Sequence, residues 1–237
     1  LVIDPLAAGW DTPVSADHFR SGCAPIEALA HGDALIREGR AEAVLIRGED
    51  LLRSRYAHDK VMRQRLMAIY GEACPIPEAY TQLAHVFMQR HHMDARQFSA
   101  LAEALRENYA RTARRIGIYT PPKPAASAMA TGLFRLIDCA NPVVDFTGAL
   151  ILGHAALASK SPTPIAVLGV GVARCGGDGP AHAQEIARYA HLAKAWASSC
   201  ERAGIDFTTA FHEGRALLEA YTCFPVVPLG FLLASGR

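Results

Sequence analysis

Cys23 is the first residue whose type and position suggest chemistry. It lies two residues before Pro25, which suits the first turn of a helix predicted over residues 25–37. At a helix N-terminus, unbonded backbone N–H groups and a partial positive charge stabilise a thiolate, and the same N–H groups can hold an oxyanion. This is the layout of a cysteine nucleophile in acyl transfer. The alternative interpretation is a small buried residue at a helix start, which is a common place for cysteine.

The other cysteines and the histidines lack the spacing of a metal site. The six cysteines are scattered and form no Cys-x-x-Cys pair, which favours reduced thiols in a cytosolic protein. His212 and Glu213 lack the second His of the zinc-protease spacing. Gly169 and Gly171 are not followed at once by a helix, so they do not form a dinucleotide-binding fingerprint. The sequence therefore predicts neither a metal site nor a dinucleotide site.

Apolar spacing predicts helices that alternate with short strands in both outer thirds, and a middle third of helix and loop alone. Gly39 suits the end of the first helix, Asp94 suits the N-cap of another, and the proline-rich residues 119–124 predict a loop. This pattern indicates an α/β core with a helical insertion. The predicted helices cover residues 25–37, 59–69, 78–92, 94–115 and 181–203. The predicted strands cover residues 43–46, 147–152, 165–172 and 208–211, and a further element covers residues 217–224.

Composition excludes several classes of protein. The 237 residues are 51 % hydrophobic and 20 % charged, as in a globular chain of one large or two small domains. The net charge of +1 argues against a general nucleic-acid binder, and no apolar run is long enough for a membrane helix. Residues 51–117, the basic segment, nevertheless carry eleven Lys and Arg against six Asp and Glu. This is a net charge of +5, which leaves −4 for the rest of the chain.

Apolar residues at both ends predict that this is the middle of a longer chain.

Five segments, in the correct order along most of the chain, resemble the thiolase superfamily. In that family an acyl-accepting Cys opens an Ala-rich helix, and a short strand follows that helix. The matching segments are residues 21–49 with Cys23 at the helix start, residues 135–152 with Asp145 and Gly148-Ala149 for the Asp-Gly-Ala-Ala strand, residues 165–172 for the next core strand, residues 203–206 for the turn that opens the C-terminal half, and residues 219–224 for the HDCF motif.

The resemblance implies a partial layered αβαβα core with a mostly helical inserted loop domain. Residues 1–50 are then part of the N-terminal half, residues 51–130 the basic loop domain, residues 131–175 the return to the N-terminal half, and residues 176–237 the start of the C-terminal half. The family's two further motifs, with an activating His and a second Cys, do not occur in these residues. This again predicts a longer chain.

The resemblance also implies thiolysis or Claisen condensation of a 3-oxoacyl-CoA through a thioester on Cys23. Tyr221 stands where the HDCF motif has its His and is the second candidate catalytic residue. Coenzyme A enters as the substrate thioester, with no metal or redox cofactor. The basic loop domain is expected to bind its phosphates, and the alternative is that its Arg residues form an ordinary solvated helix face. The resemblance further implies a homodimer or larger oligomer, and the expected location is the cytoplasm.

Three alternatives stay open. Tyr221 can instead be a packed aromatic residue. The residues after Cys23 (Ala24, Pro25 and Ile26) differ from the family's small residue, Ser or Thr, and Gly, which favours a non-catalytic protein that binds acyl-CoA or lipid or serves as a complex subunit. The related ketoacyl synthases share the fold and would be distinguished by malonyl-dependent carbon–carbon bond formation.

Overall fold

The computed structural model describes residues 1–5, 15–71, 73–139 and 144–236. The chain divides into two units, each of which is described by itself. The first unit contains Leu1–Leu66, Pro142–Ala173 and Lys194–Leu217, and the second contains Met67–Asn141, Arg174–Ala193 and Leu218–Arg237.

A four-stranded mixed sheet is the centre of the first unit. Its strands are β1 (Val2–Ile3), β2 (His18–Phe19), β3 (Ala43–Leu51) and β4 (Asp145–Gly153), in the order β2-β1-β3-β4. Strand β1 is parallel to both β2 and β3. Strand β3 pairs antiparallel with β4 over its whole length, from Ala43 opposite Gly153 to Leu51 opposite Asp145. The strands predicted at residues 43–46 and 147–152 are confirmed, and both are longer than predicted.

Helix α1 (Ala24–Arg37) packs on one face of this sheet. Ala28 of α1 is buried with Val44 and Ile46, which alternate along β3 as a strand half-covered by a helix requires. Gly32 allows close approach, because a Cβ there would lie 3.3 Å from Leu152 Cδ2. The predicted helix over residues 25–37 is confirmed. Its apolar residues hold α1 against the sheet, and this contact positions Cys23, the N-cap residue of the helix.

The helices of the basic segment follow α1 in the chain, as predicted. Asp94 caps the longest of them with a capping box: its side chain accepts from the Gln97 N–H at 2.8 Å, and the Gln97 side chain accepts from the Asp94 N–H. The helices here are α2 (Leu52–Tyr56), α3 (Lys60–Met67), α4 (Ile76–Arg90) and α5 (Ala95–Arg115).

Aromatic side chains form the core of the second unit. Phe98 of α5 lies edge-on to Phe87 of α4 at 6.2 Å between ring centroids, and edge-on to Phe134 at 6.1 Å. Phe224 joins them, with its ring 5.5 Å from that of Phe134. Such tilted and edge-to-face pairs add to the free energy gained from burial.

The strand predicted over residues 165–172 is wrong. This segment has no regular secondary structure, and Ile165 is 91 % exposed. It lies against helix α7 (Ala190–Ala203), where Ser199 Oγ donates to the Gly169 carbonyl at 3.1 Å and Arg202 donates to the Val170 carbonyl at 3.0 Å. The Ser199 and Arg202 side chains thus satisfy two carbonyl groups that a neighbouring strand would otherwise bond.

Three more elements differ from the predictions. The single helix predicted over residues 181–203 is divided into a short α6 (Ala183–Ile186) and α7, with Tyr189 between them at a φ of 52°. Residues 208–211 are not a strand but part of α8 (Phe207–His212), whose N-cap Asp206 accepts from the Thr209 N–H. Residues 217–224 have no regular element, and the next helix is α9 (Val226–Ala234).

The fold class is mixed α/β, as predicted at that level. The thiolase-like layering and the four-segment division stay predictions. In the part of the chain that the structure describes, no helix combines the length and the apolar character needed to cross a membrane.

Candidate functional site

The candidate site lies in the first unit, where β1 and β2 end and α1 begins. Asp4 directly follows β1, Arg20 and Ser21 directly follow β2, and Cys23 directly precedes α1. Because β1 and β2 are parallel, their carboxyl ends meet at one edge of the sheet. In open α/β sheets this edge is where ligands bind.

Cys23 is the N-cap residue of α1, as predicted, and its side chain is partly buried. Its thiol donates a hydrogen bond of 3.3 Å to Glu27 Oε1 and lies 3.5 Å from Ser21 Oγ. The helix geometry explains the first contact, because residues four apart lie on the same face. The structure thus gives Cys23 a carboxylate partner that the sequence analysis did not identify.

Ser21 fixes the carboxylate that accepts from the thiol. Its hydroxyl donates to Glu27 Oε2 at 2.7 Å, and its oxygen accepts from the Cys23 N–H at 3.2 Å. Each oxygen of Glu27 therefore has one donor from this pair. A carboxylate held in this way can take the thiol proton when the sulfur attacks an electrophile.

The expectation that α1 begins with unbonded N–H groups is wrong. The Ala24 N–H donates to the Ser21 carbonyl at 3.2 Å, and the Ile26 and Glu27 N–H groups donate to the Cys23 carbonyl at 3.0 and 3.1 Å. Pro25 has no N–H to offer. The N–H groups of the first turn are therefore bonded to local acceptors. The start of α1 can stabilise an oxyanion only through the partial positive charge of the helix dipole.

A second polar cluster at the same edge joins β1 to β2. His18 Nδ1 lies 2.7 Å from Asp4 Oδ1, and Arg20 donates to Asp4 Oδ2 through Nη2 at 2.8 Å and Nε at 3.2 Å. Burial acts to raise the pKa of Asp4, whose side chain is only 8 % exposed, but the hydrogen bonds from His18 and Arg20 outweigh it and hold that pKa below its usual value. Asp4 thus stays ionised at neutral pH.

The sequence analysis missed this cluster. Strands β1 and β2 have two residues each, which is too short for an apolar alternation to be read. The available signal was a charged residue directly after the apolar residue that ends each strand, since Asp4 follows Ile3 and Arg20 follows Phe19.

Tyr221, the second predicted catalytic residue, lies in the second unit, whereas Cys23 lies in the first. It is 76 % exposed and belongs to an irregular segment before α9. The interpretation of Tyr221 as a packed aromatic residue is therefore wrong. The catalytic role of Tyr221 stays a prediction.

Ion pairs neutralise part of the basic segment. Arg106 and Arg135 both contact Glu103, and Arg114 donates to Glu107 at 2.8 Å. The hydrogen bond from Arg106, opposed by burial and aided by Arg135, lowers the pKa of Glu103 to about 2. Two positive charges nonetheless remain near the end of α5. Arg111 and Arg115 are exposed there and have no ion-pair partner among the described residues.

No protein-family model matches this chain, and no curated protein matches it either. Cys23, Ser21 and Glu27 themselves therefore define the chemistry of the site. Where the structure describes the chain, no group of three His, Cys, Asp or Glu side chains is arranged to hold a metal ion.

Proposed function

We propose that this protein is a thiolase-like acyltransferase in which Cys23 takes the acyl group of a coenzyme A thioester. The observation that carries the proposal is the hydrogen bond from the Cys23 thiol to Glu27, at the start of α1 and at the ligand-binding edge of the sheet. The reaction is thiolysis of a 3-oxoacyl-CoA or the reverse Claisen condensation, as the resemblance of residues 21–49 implies.

In the condensation direction, the acylation half-reaction uses two side chains of the first unit. The thiol proton of Cys23 passes to Glu27 Oε1 as the sulfur electron pair forms a bond to the thioester carbonyl carbon. The intermediate then collapses, the bond from that carbon to the coenzyme A sulfur breaks, and the departing thiolate takes the proton from Glu27. The N-terminal end of α1 stabilises the negative charge on the carbonyl oxygen through its dipole.

Coenzyme A binding is proposed for the basic segment. The resemblance gives this role to the segment as a whole, whose surplus of Arg suits the phosphate oxygens of the ligand. Tyr221 is proposed as a hydrogen-bond donor, a homodimer or larger oligomer follows from the same resemblance, and the scattered cysteines favour the cytoplasm.

The test is acylation of the intact chain by acetyl-CoA, followed by peptide mapping with mass spectrometry. We expect one acetyl group on Cys23, none after Cys23→Ser, and unchanged acetylation of the matched variant Cys200→Ser, whose thiol is also partly buried in the first unit. Iodoacetamide should label Cys23 selectively, and acetyl-CoA should protect it. Equal labelling of several cysteines without protection would overturn the proposal.

A non-catalytic acyl-CoA or lipid-binding protein is the second candidate. The bonded N–H groups of the first turn of α1 favour it, because they leave no free backbone donor for an oxyanion at that position. This candidate predicts that acetyl-CoA binds without transfer of its acetyl group. Binding measured by calorimetry, together with an unmodified Cys23 in the peptide map, would establish it over the acyltransferase.

A further inference from the structure

A cavity of about 200 Å³ opens in the second unit, beside α4, α6 and the start of α9. Three tyrosine rings, Tyr70, Tyr80 and Tyr189, line it together with aliphatic side chains, and Asp178 and His191 supply its ionisable groups apart from the phenols. Pockets of this kind, apolar with a few placed polar groups, are the usual form of small-molecule sites.

The charge in the cavity is negative. Asp178 is the one carboxylate among the described lining residues, which include no Lys or Arg. Burial lowers the pKa of His191 against the opposite effect of Glu185, so the imidazole is predominantly neutral at pH 7. Nothing among these lining residues therefore neutralises Asp178.

The carboxylate of Asp178 is held in place by two donors. The Tyr70 hydroxyl lies 3.1 and 3.2 Å from its two oxygens, and the Gly179 N–H donates to Oδ1 at 2.7 Å. Burial and then Asp178 raise the pKa of Tyr70 to about 12, so the phenol remains a donor. A carboxylate has about four acceptor positions, which leaves capacity for a ligand.

Gly179 allows the Tyr70 ring to reach this position. Its φ is +76°, which favours glycine, and a Cβ there would lie 2.9 Å from Tyr70 Cδ1. The Tyr70 ring thus lies directly on the turn that carries Asp178.

The other two tyrosine rings are fixed by their own contacts. Tyr80 stacks on Phe224 with 4.1 Å between ring centroids and 13° between planes. Tyr189 is buried, and its hydroxyl donates to the Val226 carbonyl at 2.8 Å. The aromatic walls are therefore formed before any ligand binds, which lowers the entropic cost of binding.

We propose that this cavity binds a small organic ammonium ion, with the ammonium group at Asp178 and the apolar body among the tyrosine rings. Opposite charge at a fixed carboxylate selects the cation, and aromatic faces attract a cation and bury its carbon chain. The proposal does not depend on acyl transfer, because none of the lining residues belongs to the Cys23 site in the first unit.

Three probes with the same carbon chain and different head groups test the proposal by calorimetry on the full chain at pH 7: hexylammonium, hexanol and hexanoate. We expect hexylammonium to bind about tenfold tighter than hexanol, which corresponds to about 1.4 kcal/mol, and hexanoate to bind weakest. Equal affinities for the three probes, or tightest binding of hexanoate, would overturn it.

Asp178→Asn should reduce the affinity for hexylammonium to that for hexanol and leave hexanol binding unchanged. The matched control is Glu219→Gln, which removes an exposed carboxylate of the same unit that does not line the cavity, and it should bind all three probes as the parent does. Unchanged hexylammonium binding by Asp178→Asn contradicts the proposal. If that variant does not fold, the ranking of the three probes on the parent chain still decides.

Discussion

The Cys23 thiol donates to Glu27 Oε1 at 3.3 Å, across the first turn of α1. One carboxylate therefore has two opposite effects on one sulfur. As a proton acceptor it assists attack by the thiol, and as a negative charge it repels the thiolate that forms. The two effects are separable because different reactions of the same cysteine depend on them differently.

Glu27→Gln should accelerate alkylation of Cys23 by iodoacetamide and slow its acetylation by acetyl-CoA. Alkylation should become faster, because the repulsion between the carboxylate and the thiolate is removed. Acetylation should fall by about a hundredfold, which is the lower end of what a general base contributes. Both rates are measured at pH 7 by mass spectrometry of the Cys23 peptide.

Glu38→Gln serves as the control for this pair of rates. Glu38 is an exposed residue at the opposite end of α1 and pairs only with Arg40, at 3.3 Å, in the structure as described. Both rates should stay at the parent values. A parallel fall of both rates in Glu27→Gln would mean that Glu27 only supports the local structure.

Asp4→Asn should lower the free energy of unfolding of the first unit by about 2 kcal/mol at pH 7, the scale of hydrogen bonds to a charged group. Because the folded pKa of Asp4 lies below its unfolded value, its stabilisation is fully present above about pH 4 and is lost as the pH falls through the folded pKa. The difference between parent and variant should therefore shrink below pH 4. Urea unfolding at pH 7 and pH 3 measures it.

Asp33→Asn is the matched control for Asp4. It breaks an ion pair with Arg37 at 2.8 Å, four residues along α1, in which Arg37 is well exposed. Such surface pairs contribute about 0.3–0.5 kcal/mol, so the variant should unfold almost as the parent does. An equal loss in the free energy of unfolding of the two variants would show that the Asp4 network stabilises the unit no more than a surface ion pair does.

Gly171→Ala should destabilise the first unit by about 3 kcal/mol, the upper end for an overpacked position. A Cβ at Gly171 would overlap the Ala195 carbonyl of α7 and lie 3.0 Å from the Ser199 N–H nitrogen. Backbone atoms of a helix cannot move aside as a flexible side chain can. The melting temperature by circular dichroism checks this.

Gly22→Ala is the control for that substitution, since a Cβ at Gly22 would meet nothing within 4 Å and its φ is outside the left-handed region. It should melt within a few degrees of the parent. If Gly171→Ala has the same melting temperature as Gly22→Ala, residues 169–171 do not lie against α7 in solution.

Phe98→Ala should cost the second unit about 3–5 kcal/mol, as expected for a large core aromatic. Phe98 is 1 % exposed and contacts two other rings, whereas Leu101 on the same helix is 39 % exposed. Leu101→Ala should therefore change the stability by less than about 1 kcal/mol. Similar losses for both, in urea unfolding, would contradict the position of Phe98 in the core.

Three elements, among them the helix that positions Cys23, could be predicted from local signals. Pro25 and Gly39 bracket α1, the apolar run at residues 43–46 lies in β3, and Asp94 caps α5. Each signal acts within one or two turns of the chain, so it holds wherever the element lies in the fold. The same is true of the place of Cys23 at a helix start.

The partners of these elements could not be predicted in the same way. Residues 165–172 have the composition of a strand, but Gly169 and Gly171 also fit against a helix backbone, and the structure uses that contact. Glu27 was missed because a Glu in a first helical turn is ordinary, and its contact with Cys23 depends on rotamers. The Asp4 network joins residues at the ends of two short strands, and the charged residue that follows each strand does not show that the two strands pair.

The antiparallel pair of β3 and β4 has a consequence for biosynthesis. Leu51 lies opposite Asp145, so residues 52–144 are all made by the ribosome between the two strands. During that time β3 can pair with β1 but has no partner on its other edge, and closing a loop of this length costs about 4 kcal/mol of chain entropy. The nascent chain therefore exposes an open strand edge for the time needed to translate residues 52–144, and this is the stage at which chaperones would be needed.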